Sequence, residues 1–193
     1  PGVLIGRNND LAWGATYTFA DAVDSWVEEC REGKYRRGSF IKTEWVRFQE
    51  RREVIHRKKK PDHIVTFYEN EHGVLDGNPY EAGHYLATRW ATGSGTGSQS
   101  IQSIFKMFHA KEVREGMDLM GQLEMSFNWV FADAEGNIGY QMSGLVPKRR
   151  TGISGLIPVS GWDSRNDWRG FLPHTQLPRS YNPPEGFIVT ANN

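Results

Sequence analysis

Asp21 and Asp24 stand three positions apart, with Val23 between them. Two carboxylates and a main-chain carbonyl at this spacing can offer hard oxygen ligands of the kind calcium takes. The same residues also read as two exposed turn carboxylates, and taken alone they favour that reading. Cys30 is the single cysteine, so the chain has no internal disulfide and no paired-cysteine metal or redox site. It reads as a buried or half-buried thiol rather than a nucleophile. The six histidines, at 56, 63, 72, 84, 109 and 174, never fall in an i, i+4 pair and are not read as metal ligands. The run Arg51, Arg52, Arg57, Lys58, Lys59, Lys60 could meet phosphate, but Glu50, Glu53 and Asp62 interrupt it. A solvated hairpin is the favoured reading there. Gly93-Ser94-Gly95-Thr96-Gly97 lacks the closing glycine of a dinucleotide loop and reads as a plain connection. The amine of Pro1 could serve as a base, but Pro1 opens what reads as a mid-domain hairpin. No GxSxG elbow, HExxH helix or Walker loop is present.

These groups need elements to position them. Gly 21 and Pro 9 point to many turns and to strands rather than a helix bundle. Residues 2–6 and 11–16 flank Arg7-Asn8-Asn9-Asp10 as a hairpin. Residues 44–57 and 63–69 read as two strands around a polar turn, and 85–91 as a third. A helix is expected from about Ser100, because Ile101, Ile104, Phe105 and Phe108 recur at spacings of three and four. A second is expected from Val113 to Leu123, with Met117 and Met120 in register. Residues 127–132 and 138–142 flank Asp133-Ala134-Glu135-Gly136-Asn137, a strong hairpin signal. Gly186–Thr190 reads as a last strand. The fold class is α+β.

Bulk properties narrow the function. The seven Trp, seven Tyr and ten Phe suffice for a core. Lys plus Arg (23) balance Asp plus Glu (23), so nothing pulls the chain toward nucleic acid or an anionic membrane. No apolar run reaches the roughly 18 residues of a membrane span. The opening residues Pro1-Gly2-Val3-Leu4-Ile5-Gly6 are not expected to be a signal peptide, having no charged n-region.

Four blocks in order resemble the penicillin acylase (penicillin amidase) family of N-terminal-nucleophile hydrolases. The first is Pro1-Gly2-Val3-Leu4-Ile5-Gly6-Arg7-Asn8, with Trp13-Gly14-Ala15-Thr16 and Asp21-Ala22-Val23-Asp24. The second is Glu71-His72-Gly73. The third runs from Asn128-Trp129 through Gly136-Asn137-Ile138-Gly139-Tyr140 to Gly144 and Pro147. The fourth holds Gly161-Trp162, Trp168-Arg169-Gly170, and Tyr181-Asn182-Pro183-Pro184-Glu185-Gly186 through Asn192-Asn193. The resemblance spans essentially the whole chain and implies a single fragment, residues 1–193, of the family's large catalytic subunit. It implies part of an αββα sandwich.

In the family, a terminal Ser made by self-cleavage attacks a linear amide, and its own amine is the base. The resemblance places that Ser upstream of Pro1, so this stretch by itself is expected to be inactive. It implies two oxyanion donors, the main-chain N–H of Tyr17 and the side chain of Asn192. An Asn amide is a neutral donor with no pKa to perturb. From the residues alone, Asn192 would read as a turn residue. The resemblance further implies Ile5 and Ala15 as acyl-pocket residues. It implies Asp21, Val23 and Asp24 as ligands of a structural calcium, with no cofactor needed for the chemistry. The substrate implied is a small amide of the β-lactam or acyl-homoserine-lactone type. The partners implied are the smaller acylase subunit and the remainder of the large one, in the periplasm or outside the cell. The alternative is a non-catalytic binding or structural module that keeps the scaffold.

Overall fold

The computed structural model describes residues 3–38, 41–95 and 97–192. Pro1 and its amine, Thr96 of the Gly-Ser loop and Asn193 lie outside the described residues. The strands are β1 (Gly6–Arg7), β2 (Leu11–Tyr17), β3 (Val23–Arg31), β4 (Lys34–Gly38), β5 (Thr43–Arg47), β6 (Gln49–Ile55), β7 (His63–Asn70), β8 (Gly73–Asp76) and β9 (Gly83–Trp90). The helices α1 (Ser98–Met107) and α2 (Val113–Gly121) follow. Then come β10 (Phe127–Asp133), β11 (Ile138–Met142), β12 (Val159–Ser160) and β13 (Arg179–Tyr181). Among the described residues, no helix is long and apolar enough to cross a membrane.

The chain packs as two compact units. The first comprises Pro1–Ala22, Ala91–Lys148 and Gly170–Asn193. Its five-stranded sheet has the order β1-β2-β10-β11-β13, all antiparallel. The expected β10–β11 hairpin forms, with Ala132 opposite Ile138. Its turn closes because Gly136 takes a φ of 88° and Asp133 Oδ1 accepts from the Asn137 N–H at 2.8 Å. Helix α2 and the C-terminal end of α1 pack apolar side chains into the core on this sheet. Leu11, Trp13, Trp129 and Phe131 from the strands meet Met107, Val113, Met117 and Met120 from the helices. Burying each such side chain contributes roughly 1.5–3 kcal/mol. Close approach of α2 requires Gly139: a Cβ there would come within 2.8 Å of Met117 Sδ and closer still to Val113.

The second unit comprises Val23–Trp90 and Arg149–Arg169. Its sheet has the order β5-β4-β3-β9-β8-β7-β6, with β12 added in parallel to β3. Along β3 every second residue is buried: Asp24, Trp26, Glu28 and Cys30. That is the period-2 pattern of a half-covered strand, with carboxylates at two of the inward positions. A small core of Cys30, Tyr35, Phe48, Leu75 and Ala87 lies on the sheet. β6 is exposed along its whole length, and Arg51 on it pairs with Glu53 at 2.5 Å and Glu69 at 2.9 Å.

Four expectations are corrected. The strand expected over 44–57 is two, β5 pairing with β4 and β6 with β7, because Phe48 between them turns inward and its N–H donates to Gly33 O at 3.2 Å. The strand expected over Gly186–Thr190 is irregular, with Phe187 64% and Val189 79% exposed, and the ladder is supplied instead by β13. The stripe expected to bury one face of α1 is split. Ile101 and Phe105 are exposed, whereas Ser103 and Met107 face the core. The opening strand is only β1, so Val3 to Ile5 lie before it.

Candidate active site

In the first unit, β2 ends at Tyr17, and the register sets Asn128 of β10 opposite Thr16. At this end the Tyr17 N–H donates to Asn192 Oδ1 at 3.0 Å, across 175 positions of sequence. The segment before Asn192 runs along the sheet without joining its ladder. Asn128, 3% exposed, ties it down. Its Nδ2 donates to Tyr17 O at 3.3 Å and to Ala191 O at 3.4 Å. Its Oδ1 accepts from the Tyr140 hydroxyl at 2.8 Å. Burial pushes the Tyr140 phenol up, so it stays a hydroxyl and a donor. Asn128 and Tyr140 also line a cavity of about 310 Å³ together with Pro183, Phe187 and Val189.

The Tyr17 and Asn192 positions expected from sequence are therefore in contact. The two proposed acyl-pocket residues are placed differently. Ala15 lies opposite Trp129 and packs against the helix–sheet core. Ile5 precedes β1 with 69% of its surface exposed. The Tyr17 ring, 53% exposed, stands edge-on to Phe19 at 5.5 Å and to Phe127 at 6.2 Å.

Among the carboxylates, Asp21 is exposed and so is Val23. Asp24 is not the turn carboxylate that the residues alone suggested. It lies within β3, 4% exposed, and its Oδ2 accepts from Arg149 Nε at 2.7 Å and from the Trp168 indole N–H. Its Oδ1 is buried without a hydrogen-bond partner. One hard oxygen is thus available to a cation, while the carboxylate charge is already met by Arg149. Among the described residues, no three His, Cys, Asp or Glu side chains gather as a metal site.

The second unit holds a buried ionic cluster that no local sequence signal announced. His72, in the turn between β7 and β8, lies 2.6 Å from Glu28 Oε1 through Nδ1 and 2.9 Å from Asp167 Oδ1 through Nε2. Its ring stacks on Trp26 at 4.5 Å between centroids. Asn70 Nδ2 adds a bond to Glu28 Oε1 at 2.8 Å. Arg37 binds Asp167 at 2.6 Å and Glu71 at 2.9 Å, and the Tyr35 hydroxyl donates to Glu71 at 2.7 Å. Burial disfavours an imidazolium, but the hydrogen bonds to Asp167 and Glu28 outweigh it and hold His72 above its ordinary value. Burial likewise disfavours the Asp167 carboxylate, and the bonds from His72 and Arg37 outweigh that, holding it below the ordinary range. With a carboxylate on each ring nitrogen, both nitrogens donate and His72 is charged. Cys30 is buried, and burial, with Glu28 and Glu29 nearby, pushes its thiol up to about 12. It is no nucleophile at neutral pH.

Comparison with known proteins places this fold in a family. The Penicillin amidase family matches residues 1–193, and the chain belongs to that family. Penicillin G acylase from Escherichia coli is 30% identical over 197 residues, covering the whole chain and 22% of that protein. Acyl-homoserine lactone acylase QuiP from Pseudomonas putida is 34% identical over 193 residues, again the whole chain and 23% of that protein. The solved structure of a thermostable penicillin G acylase from Alcaligenes faecalis superposes with a TM-score of 0.82 at 28% identity, over the whole chain and 34% of that one. The fold is thus the α+β fold of this family. The chain spans less than a quarter of the length of the two curated relatives described.

Proposed function

We propose that the full-length protein is an amide hydrolase that removes an acyl side chain from a small amine, of the β-lactam or acyl-homoserine-lactone type. The observation that carries this reading is the 3.0 Å contact between the Tyr17 N–H and the Asn192 side chain. A main-chain N–H and an Asn amide at one spot, at an exposed strand end, suit a tetrahedral oxyanion. In the resting chain Asn192 Oδ1 occupies the Tyr17 N–H. A substrate oxygen would take its place, and a turn of the amide would bring Nδ2 to bear as the second donor. The attacking group is a terminal Ser supplied from outside these residues. Relatives named as penicillin G acylase and acyl-homoserine lactone acylase support both candidate amine classes.

The test compares two preparations with chromogenic phenylacetyl and long-chain acyl anilides. The full-length protein should release amine with saturation. The 193-residue chain alone should give no turnover, because Cys30 is buried and protonated and neither Tyr17 nor Asn192 can attack. Saturable hydrolysis by the chain alone, surviving repurification, would show that the nucleophile lies within it.

A structural calcium on the Asp21, Val23, Asp24 stretch belongs to the same proposal. Its support is the unpartnered Asp24 Oδ1. The full-length protein should then unfold at a lower temperature in chelator, since an ion bound only by the native state stabilises it by mass action. Identical calorimetric midpoints with and without chelator would remove the ion.

A further inference from the structure

We propose that Asn128 is a positioning residue that holds the two oxyanion donors in register, with the Tyr140 hydroxyl fixing its orientation; this rests on the oxyanion reading of Tyr17 and Asn192. Among the described bonds, Asn128 reaches the main chain beside the two donors. Its Nδ2 donates to Tyr17 O at 3.3 Å and to Ala191 O at 3.4 Å. The first carbonyl belongs to the peptide plane just after the Tyr17 N–H. The second belongs to the plane that leads into Asn192. One side chain therefore sets the planes flanking both halves of the 3.0 Å contact.

The orientation of the Asn128 amide follows from its neighbours. A turned amide would aim Oδ1 at two carbonyl oxygens, acceptor against acceptor. Tyr140 must then donate to Oδ1, at 2.8 Å. Asn128 is 3% exposed, so water does not compete readily for these bonds. The stretch 187–192 lies outside the ladder, with Phe187 and Val189 largely exposed, so ladder bonds do not fix the path to Asn192. A small drift of Asn192 would misalign a donor whose value depends on being in place before the reaction.

The experiment uses the full-length protein, with active sites counted by titration with a sulfonyl fluoride so that misfolded molecules do not enter kcat. Asn128→Ala should lower kcat per active site by about ten- to a hundredfold, with KM changed by about twofold or less. Asn128→Asp keeps the Tyr140 bond but turns oxygen toward both carbonyls, and should lose as much. Tyr140→Phe frees the amide to turn and should lower kcat several-fold. The deciding readout is a double-mutant cycle. On an Asn192→Ala background, Asn128→Ala should cost far less than on the wild type, because its main target is already gone. Full, additive loss on that background would show a general packing effect and overturn the inference, as would an unchanged kcat in Asn128→Ala. Where Asn128→Ala fails to mature, Tyr140→Phe stands in, and its unchanged kcat overturns the inference equally. If Asn192→Ala itself leaves kcat unaltered, the oxyanion reading falls and takes this inference with it. A loss in Asn192→Ala without one in Asn128→Ala removes only the inference.

Discussion

His72→Ala should destabilise the second unit by about 3–5 kcal/mol, the cost of stripping one partner from a buried ion pair. The His72 side chain is 2% exposed and that of Glu28 is fully buried, at 2.6 Å. Without the ring, Glu28 keeps only Asn70 at 2.8 Å among the bonds described, and Glu28 Oε2 already lacks a partner. Trp26 loses its stacked neighbour, which leaves a cavity. Adding Glu28→Gln should recover part of the loss, because an amide costs less to bury than an unpaired carboxylate. The pH dependence follows from the two shifts. His72 is raised, so its stabilisation is complete below the ordinary histidine value and is lost as pH climbs through the elevated one. Asp167 is lowered, so its stabilisation is complete above the ordinary Asp value and is lost as pH falls through the depressed one. The wild type should therefore soften on the alkaline side of its elevated His72 titration, and His72→Ala should lack that limb. Hydrogen exchange at the β3 and β9 amides, over a pH series, measures the opening free energy locally. A change below about 1 kcal/mol, or an alkaline limb that survives the substitution, would show that the cluster contributes little.

This cluster shows why part of the fold was hidden in the sequence. β3 alternates cleanly, yet two of its four inward residues are Asp24 and Glu28. A search for apolar alternation passes over such a strand. Its buried charges are neutralised by Arg149 and His72, which lie 125 and 44 positions away. The opposite error occurs at Gly186–Thr190, where an apolar β-branched run read as a strand finds no ladder and stays largely exposed. Periodicity measures what a segment could bury, and tertiary partners decide whether it does. The same applies to Ile101 and Phe105 on α1. The β10–β11 hairpin was legible because its information is local: Asp133 and Gly136 make the turn with groups within four residues.

The site was legible only through resemblance. Nothing local ties Tyr17 to Asn192, 175 positions apart. Nothing local tells Asn128 from any other strand asparagine, because its bonds run to Tyr17, Ala191 and Tyr140 in three separate segments. Asp24 was read as exposed from its neighbours, and only the placement of Arg149 and Trp168 reveals it as buried.

The second large effect is catalytic. Asn192→Ala in the full-length protein should lower kcat roughly a hundred- to a thousandfold, equivalent to about 3–4 kcal/mol of lost oxyanion stabilisation. The amide is a neutral donor, so the loss should not depend on pH across the active range. Asn192 is exposed and belongs to no strand, so truncating it should leave folding almost untouched. KM should move little, since the interaction strengthens as charge builds on the oxygen. Asn192→Asp should be at least as damaging, because a carboxylate repels the oxyanion and accepts where a donor is needed. The Tyr17 N–H remains in the Ala variant, which is why some activity should persist. The decisive measurement is therefore kcat of Asn192→Ala per titrated active site, on the better of the two acyl anilides. A fall of about a hundredfold or more with KM nearly constant is what the Tyr17–Asn192 contact predicts. A kcat equal to that of the wild type would contradict it.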